Sequence, residues 1–135
     1  SVERHVGESL PRAAHRIAYA LCPGPLTVIV PQGEGTFGFR IPDHAFLLKL
    51  LRIYGRPLAN TSANLSGGEN ALTLDAALAS LASPPDLAVD GGEIPSGSVP
   101  STVVQVFADN SWKILRPGPI CAERIDEVIR TMPAE

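Results

Sequence analysis

Few cysteines, few lysines and no long apolar run: each shortage removes a class of protein. The 135 residues include two cysteines, Cys22 and Cys121, far apart and without metal-type spacing. That fits a reducing compartment better than a disulfide scaffold, and both are expected as buried packing thiols. No apolar stretch is long enough to span a bilayer, and the opening residues do not resemble a signal peptide, so a cytoplasmic protein without a membrane partner is expected. The only lysines are Lys49 and Lys113, the formal net charge is −3, and no run of like charges occurs. Composition therefore offers no sequence-independent grip on a polyanion, although a local basic groove is compatible with it. His44 reads as a solvated or capping residue, because no second ligand sits at a useful spacing for a metal. The sequence holds no internal repeat and no low-complexity segment. It begins at Ser1, not Met, and further residues are expected upstream.

What is present suits a single domain spanning residues 1–135, with a hydrophobic share of 44% that can supply one core. Leu10, Ala14, Ile17, Ala18 and Leu21 recur at helical spacing, with Ser9 as the expected cap and Pro11 in the tolerant first turn. Cys22-Pro23-Gly24-Pro25 stops that helix. Leu26 to Val30 and Thr36 to Ile41 read as strands, the second placing Thr36, Gly38 and Arg40 on one face and Phe37, Phe39 and Ile41 on the other. A helix follows from Pro42-Asp43 to Tyr54, with Phe46, Leu47, Leu50, Leu51 and Tyr54 as its apolar side and Gly55 as its stop. The apolar run after Pro57 predicts a buried strand. Thr73 caps a third helix to about Leu81, and Leu87 to Val89 predicts a short strand. Ser101 to Phe107 and Trp112 to Leu115 form a hairpin around Ala108-Asp109-Asn110-Ser111, and a final helix from about Ala122 to Met132 packs through Ile125, Val128 and Ile129. The order predicts an α/β fold, a twisted open mixed sheet with flanking helices.

Chemistry is expected first at the polar loop Asn60-Thr61-Ser62-Ala63-Asn64-Leu65-Ser66-Gly67-Gly68, which cannot continue a sheet. In open α/β sheets ligands sit beyond strand ends, where small residues let backbone approach anionic oxygens. Ser62 and Asn64, two apart, face one ligand if the chain runs extended; equally, they cap a turn. Arg40 suits a carboxylate or phosphate at a strand end, or is an edge-strand charge. The loop from Asp90-Gly91-Gly92 to Pro100 either directs amides at an anion or is a surface connection.

Six ordered blocks then read as a set: Cys22-Pro23-Gly24-Pro25-Leu26-Thr27, Gly38-Phe39-Arg40-Ile41-Pro42-Asp43-His44, Thr61-Ser62-Ala63-Asn64-Leu65-Ser66-Gly67, Asp90-Gly91-Gly92, Pro100-Ser101-Thr102-Val103-Val104 and Ile114-Leu115-Arg116-Pro117-Gly118. In this order they resemble the later blocks of the YrdC-type threonylcarbamoyl-adenylate synthases. The resemblance implies a twisted open sheet with a concave groove. It also implies a nucleotidyltransferase that makes threonylcarbamoyl-adenylate and pyrophosphate from ATP, L-threonine and bicarbonate for the t6A modification of tRNA. It places Arg40, Asn60 and Ser101 at threonine, and Thr36, Ser62, Asn64, Asn70 and Arg116 at ATP, with no catalytic residue and no metal ligand assigned. Mg2+ is expected to be held by the nucleotide's phosphates and water. A tRNA or a downstream transferase is the implied partner. Asn70 stands where the family continues with Ser or Thr, and the family's early Lys-x-Arg block has no counterpart after Ser1. The resemblance thus leaves a synthase, an inactive nucleotide- or double-stranded-RNA-binding module of the same fold, and an interaction domain as alternatives.

Overall fold

The computed structural model describes residues 9–64 and 67–131. They contain four strands, β1 (Leu26–Gln32), β2 (Gly35–Arg40), β3 (Thr102–Val106) and β4 (Trp112–Arg116), and four helices, α1 (Arg12–Leu21), α2 (Ala45–Tyr54), α3 (Leu74–Ser80) and α4 (Ala122–Arg130). The chain divides into two compact units, one drawn from the residues up to Arg56 and from Val99 onward, the other being Pro57–Ser98.

The first unit is an open sheet in the order β2-β1-β3-β4. β1 runs antiparallel to β2 and parallel to β3, and β3 is antiparallel to β4, so the sheet is mixed, as the alternation of elements predicts. Burial alternates along the two inner strands: Leu26, Val28 and Val30 of β1 and Thr102, Val104 and Val106 of β3 are fully buried. Onto this face pack Ala13, Ala14 and Ile17 of α1, Ile125 of α4 and Phe39 of β2. Alanines at 13 and 14 let the α1 backbone lie close to the strands, while each buried Val or Ile contributes about 1.5–3 kcal/mol. Thr102 is a polar member of this core, and its hydroxyl is fully used: it donates to the Ile120 carbonyl and accepts from the Ile120 amide, both at 2.9 Å.

The start of α1 differs from expectation. Pro11, not Ser9, is the cap residue and offers no side-chain bond. The missing acceptor comes from far along the chain, where Asn110, in the β3–β4 turn, takes the Ala13 amide on Oδ1 at 2.9 Å. A left-handed turn residue (φ 66°) thereby caps a helix that is remote in sequence. At the other end of the unit, α4 is described to Arg130 and Thr131, and Met132 lies outside the described residues.

α2 starts at Ala45, later than the expected Pro42-Asp43, with His44 as cap, and stops as expected at Gly55 in the left-handed conformation (φ 72°). Its apolar side, however, fully buries no residue: Phe46, Leu47, Leu50 and Tyr54 are exposed, as is Ile53, and Leu51 is half-buried. The packed face of the sheet is filled by α1 and α4. The thiols correct a further expectation. Cys22 is half-buried against the core, and burial pushes its pKa up, against the lowering effect of a backbone hydrogen bond at Ile41. Cys121, expected to pack inside, is exposed at the cap of α4.

In the second unit Thr73 caps α3 by accepting the Ala76 amide at 3.2 Å. The strands expected after Pro57 and at Leu87 to Val89 do not form, and Leu58 and Leu87 are exposed. Both runs are three or so residues long and follow prolines, which remove ladder donors, and no described strand pairs with them.

Candidate functional site

Sheet register builds the site. The backbone pairings align Arg40 of β2 with Thr27 of β1, Thr27 with Val103 of β3, and Val103 with Arg116 of β4. Cross-strand partners share a face, so these four form one row. The adjacent row, Phe39, Val28, Val104 and Ile114, belongs to the core and its partly buried surround. Successive residues alternate faces, and the row of Arg40 and Arg116 therefore lies on the side away from α1 and α4. Three interstrand spacings separate its ends, roughly 14 Å between the arginine backbones.

Strict alternation in β4 would send Ile114 and Arg116 to the same face. Register shifts by one between Val103 and Val104, because Val104 pairs with Ile114 while Val103 pairs with Arg116. Leu115 is the extra residue, and this irregularity turns Arg116 onto the face of Arg40 and Thr27. Arg116 then reaches back along the sheet. Its Nε and Nη2 donate to the Ser101 carbonyl at 3.2 and 2.9 Å, and Nη2 lies 3.3 Å from Ser101 Oγ. Ser101, 5% exposed, places that Oγ 3.2 Å from Thr27 Oγ1. Arginine, serine and threonine are joined in one chain of polar contacts. Gly118 permits this packing: a Cβ there would lie 2.4 Å from the Thr102 nitrogen and 2.6 Å from the Pro100 oxygen.

At the opposite end of the row, Arg40 borders an open depression of about 290 Å³, lined also by Gly24, Pro25, Pro42, Asp43, His44 and Leu47. The Gly24 amide donates to the Ile41 carbonyl at 2.9 Å and the Thr102 amide to the Pro25 carbonyl at 3.0 Å, so the Pro-Gly-Pro bend is fastened to β2 and to the start of β3. His44 Nδ1 accepts the Leu47 amide at 3.5 Å, the capping role expected of it. Among the described residues Arg40 makes no hydrogen bond or ion pair, leaving its guanidinium available. Thr36 is exposed on the same face, four residues earlier and about 13 Å along β2.

The structure thus brings Arg40, Ser101 and Arg116 onto one face, with Thr36 further along it. Asn60, Ser62, Asn64 and Asn70 belong to the second unit. There Asn64 Nδ2 donates to the Gly68 carbonyl at 3.0 Å, bracing the polar loop, and Ser80 Oγ donates to the Ala63 carbonyl at 3.0 Å. Asn60, Ser62 and Asn70 are exposed; Leu65 and Ser66 of the same loop lie outside the described residues. No group of three or more His, Cys, Asp or Glu among the described residues is placed to hold a metal ion. Sequence reasoning assigned no role to Thr27, whose signal was a lone hydroxyl between the apolar neighbours Leu26 and Val28.

Comparison with known proteins bears on the family and the fold. The family model for Sua5, YciO and YrdC, described as telomere recombination, matches residues 1–118. Proteins named threonylcarbamoyl-AMP synthase are similar to the chain. The one from Pyrococcus abyssi is 32% identical over 92% of this chain and 39% of its own length, and the one from Bacillus subtilis 37% identical over 88% and 37%. The crystal structure of P. abyssi Sua5 complexed with L-threonine superposes with a TM-score of 0.76 at 32% identity, covering 90% of this chain and 38% of that one. The chain spans well under half the length of these relatives. With a family match across most of its residues and the same mixed sheet, the chain belongs to the Sua5/YciO/YrdC family.

Proposed function

We propose that residues 1–135 form one YrdC-like domain that acts in threonylcarbamoyl-adenylate synthesis, using ATP, L-threonine and bicarbonate. The observation that carries this reading is the single row in which Arg40 and Arg116 stand at either end with Thr27 between them, two arginines whose backbones lie about 14 Å apart on the sheet face away from α1 and α4. Arg40 suits an amino-acid carboxylate at one end, and the donors of Arg116 not spent on Ser101 suit nucleotide phosphates at the other. The P. abyssi relative binds L-threonine by the description of its crystal structure, which supports the same ligand here.

In the proposed reaction the threonine nitrogen bonds to the carbon of bicarbonate with loss of water, giving a carbamate. A carbamate oxygen then attacks the α-phosphorus of ATP, and the bond to the β,γ-phosphates breaks to release pyrophosphate. The protein's share is positioning and charge stabilisation rather than covalent chemistry. Arg40 receives the threonine carboxylate and Ser101 lies beside threonine or its carbamate, and the family resemblance assigns backbone around Asn60 to threonine as well. Thr36, Ser62, Asn64 and Asn70 contact ATP, and the donors of Arg116 not spent on Ser101 meet its phosphates. The described residues offer no metal cage, so Mg2+ is assigned to the phosphates and water. The protein is read as cytoplasmic, with tRNA modification as its context and tRNA or a transferase as partner. No described helix is long and apolar enough to cross a membrane.

The test is pyrophosphate release measured with all three substrates and with each omitted. Release that requires threonine and bicarbonate, and falls at least 10-fold in Arg40→Ala, is expected. Nucleotide binding by calorimetry without any release would instead identify the binding module of the same fold.

A further inference from the structure

We propose that Thr102 is a positioning residue for the nucleotide end of the site: its hydroxyl, too deeply buried to touch a ligand, fixes where the Arg116 guanidinium stands. That role rests on the synthase reading above and deepens it. The segment Arg116-Pro117-Gly118-Pro119-Ile120 carries the chain from β4 towards α4, and it is fastened to the start of β3 at three points. At one end Arg116 Nε and Nη2 donate to the Ser101 carbonyl at 3.2 and 2.9 Å. In the middle Gly118 lies against main chain, since a Cβ there would stand 2.6 Å from the Pro100 oxygen and 2.8 Å from the Ser101 carbonyl carbon. At the other end the Ile120 amide donates to Thr102 Oγ1 and that hydroxyl donates to the Ile120 carbonyl, both at 2.9 Å, a two-way clasp. Both directions are dictated by chemistry, because an amide nitrogen only donates and a carbonyl only accepts.

Two consecutive residues, Ser101 and Thr102, thus hold the two ends of one five-residue arch. Its prolines bring no N–H, so Gly118 and Ile120 carry its only main-chain donors after Arg116. Thr102 takes one of them. The register shift beside Arg116 interrupts the β3–β4 ladder, and the arch supplies hold that the strand pairing does not. The main-chain N–H of Thr102 donates to the Pro25 carbonyl at 3.0 Å, a bond that survives loss of the hydroxyl. Removing the hydroxyl therefore acts at the Arg116 end and spares the Pro25 bend beside Arg40.

Thr102→Val keeps the branched shape and strips the Ile120 amide and carbonyl of their partner; Thr102→Ser restores it. ATP and L-threonine are titrated separately by calorimetry into wild type and both variants. Thr102→Val is expected to bind ATP roughly 10-fold or more weakly and L-threonine within about three-fold of wild type, and Thr102→Ser to recover ATP binding to within about three-fold. A second measurement needs no variant. By linkage, ATP that favours the closed clasp slows hydrogen exchange of the Ile120 amide in wild type by about the same 10-fold, and L-threonine does not. Wild-type ATP affinity in Thr102→Val, equal losses for both ligands, or Ile120 exchange that saturating ATP leaves unchanged overturns the proposal and leaves the synthase reading standing. Wild type that binds no ATP overturns both.

Discussion

Arg116 holds the main-chain carbonyl of Ser101 with two donors, Nε at 3.2 Å and Nη2 at 2.9 Å. A planar fork can do this while keeping other N–H groups for a ligand; an ammonium cannot. Arg116→Lys is therefore expected to keep the charge yet lose about 1 kcal/mol of stability and at least 10-fold in pyrophosphate release. Urea unfolding beside the release assay checks this, and a fully active lysine variant would show that charge alone suffices.

Gly118→Ala is expected to be worse for stability than any surface change. The added carbon meets main-chain atoms of Pro100, Ser101 and Thr102, all closer than 3 Å, and no side chain can rotate away. The expected loss is about 1–3 kcal/mol or more, measured by urea unfolding, together with weakened threonine binding as Ser101 shifts.

The two isoleucines Ile17 and Ile53 occupy helices of similar pattern with opposite surroundings. Ile17 is fully buried under the sheet, whereas Ile53 is 76% exposed. Truncation to Ala should cost about 2–5 kcal/mol at Ile17 and within about 0.5 kcal/mol beyond helix propensity at Ile53, by thermal or urea unfolding. A large loss at Ile53 would mean that something covers α2 in solution.

Acid should loosen the β3–β4 turn. Asp109 Oδ1 accepts from the Ser111 hydroxyl at 2.5 Å and the Ser111 amide at 2.9 Å, and these bonds hold its carboxyl below the usual range. A carboxyl lowered on folding contributes stability above its unfolded pKa of about 3.9, and the contribution disappears as pH falls through the folded value. Wild type should lose more stability than Asp109→Asn between pH 6 and pH 3 in matched urea titrations. Identical pH profiles would remove Asp109 from the account.

The thiols should react in two phases. Cys121 is exposed and Cys22 half-buried, with its pKa raised by burial. Iodoacetamide at pH 8 is expected to modify Cys121 first, and Cys22 slowly until denaturant is added. Mass spectrometry of the modified peptides decides it.

Much of this architecture was legible because local and global signals agreed. The apolar run Leu26 to Val30 gave a strand, alternation around Phe39 and Arg40 gave correct faces, and the turn residues of 108–111 gave the hairpin. Two things were not legible. The acceptor for α1 comes from Asn110, which no local pattern at Ser9 could reveal. Leu115 breaks the two-residue period, so alternation counted from Ile114 assigns Arg116 to the wrong side. The Pro57 and Leu87 runs failed for another reason, since a strand needs a partner and apolar composition supplies none. Of the candidate site, Arg40 was singled out by residue type and Arg116 through the family resemblance, whereas Thr27 required knowing that it pairs with Arg40.

The inner pair β1 and β3 joins segments separated by everything from Gly33 to Ser101, while each outer pair is a local hairpin. Formation of the two hairpins can precede their docking, and docking must close a long loop before any contact rewards it. The rate of reaching the native state should then be set by that late encounter. Since closure entropy grows only logarithmically, lengthening the 57–98 segment should slow refolding far less than weakening either hairpin does.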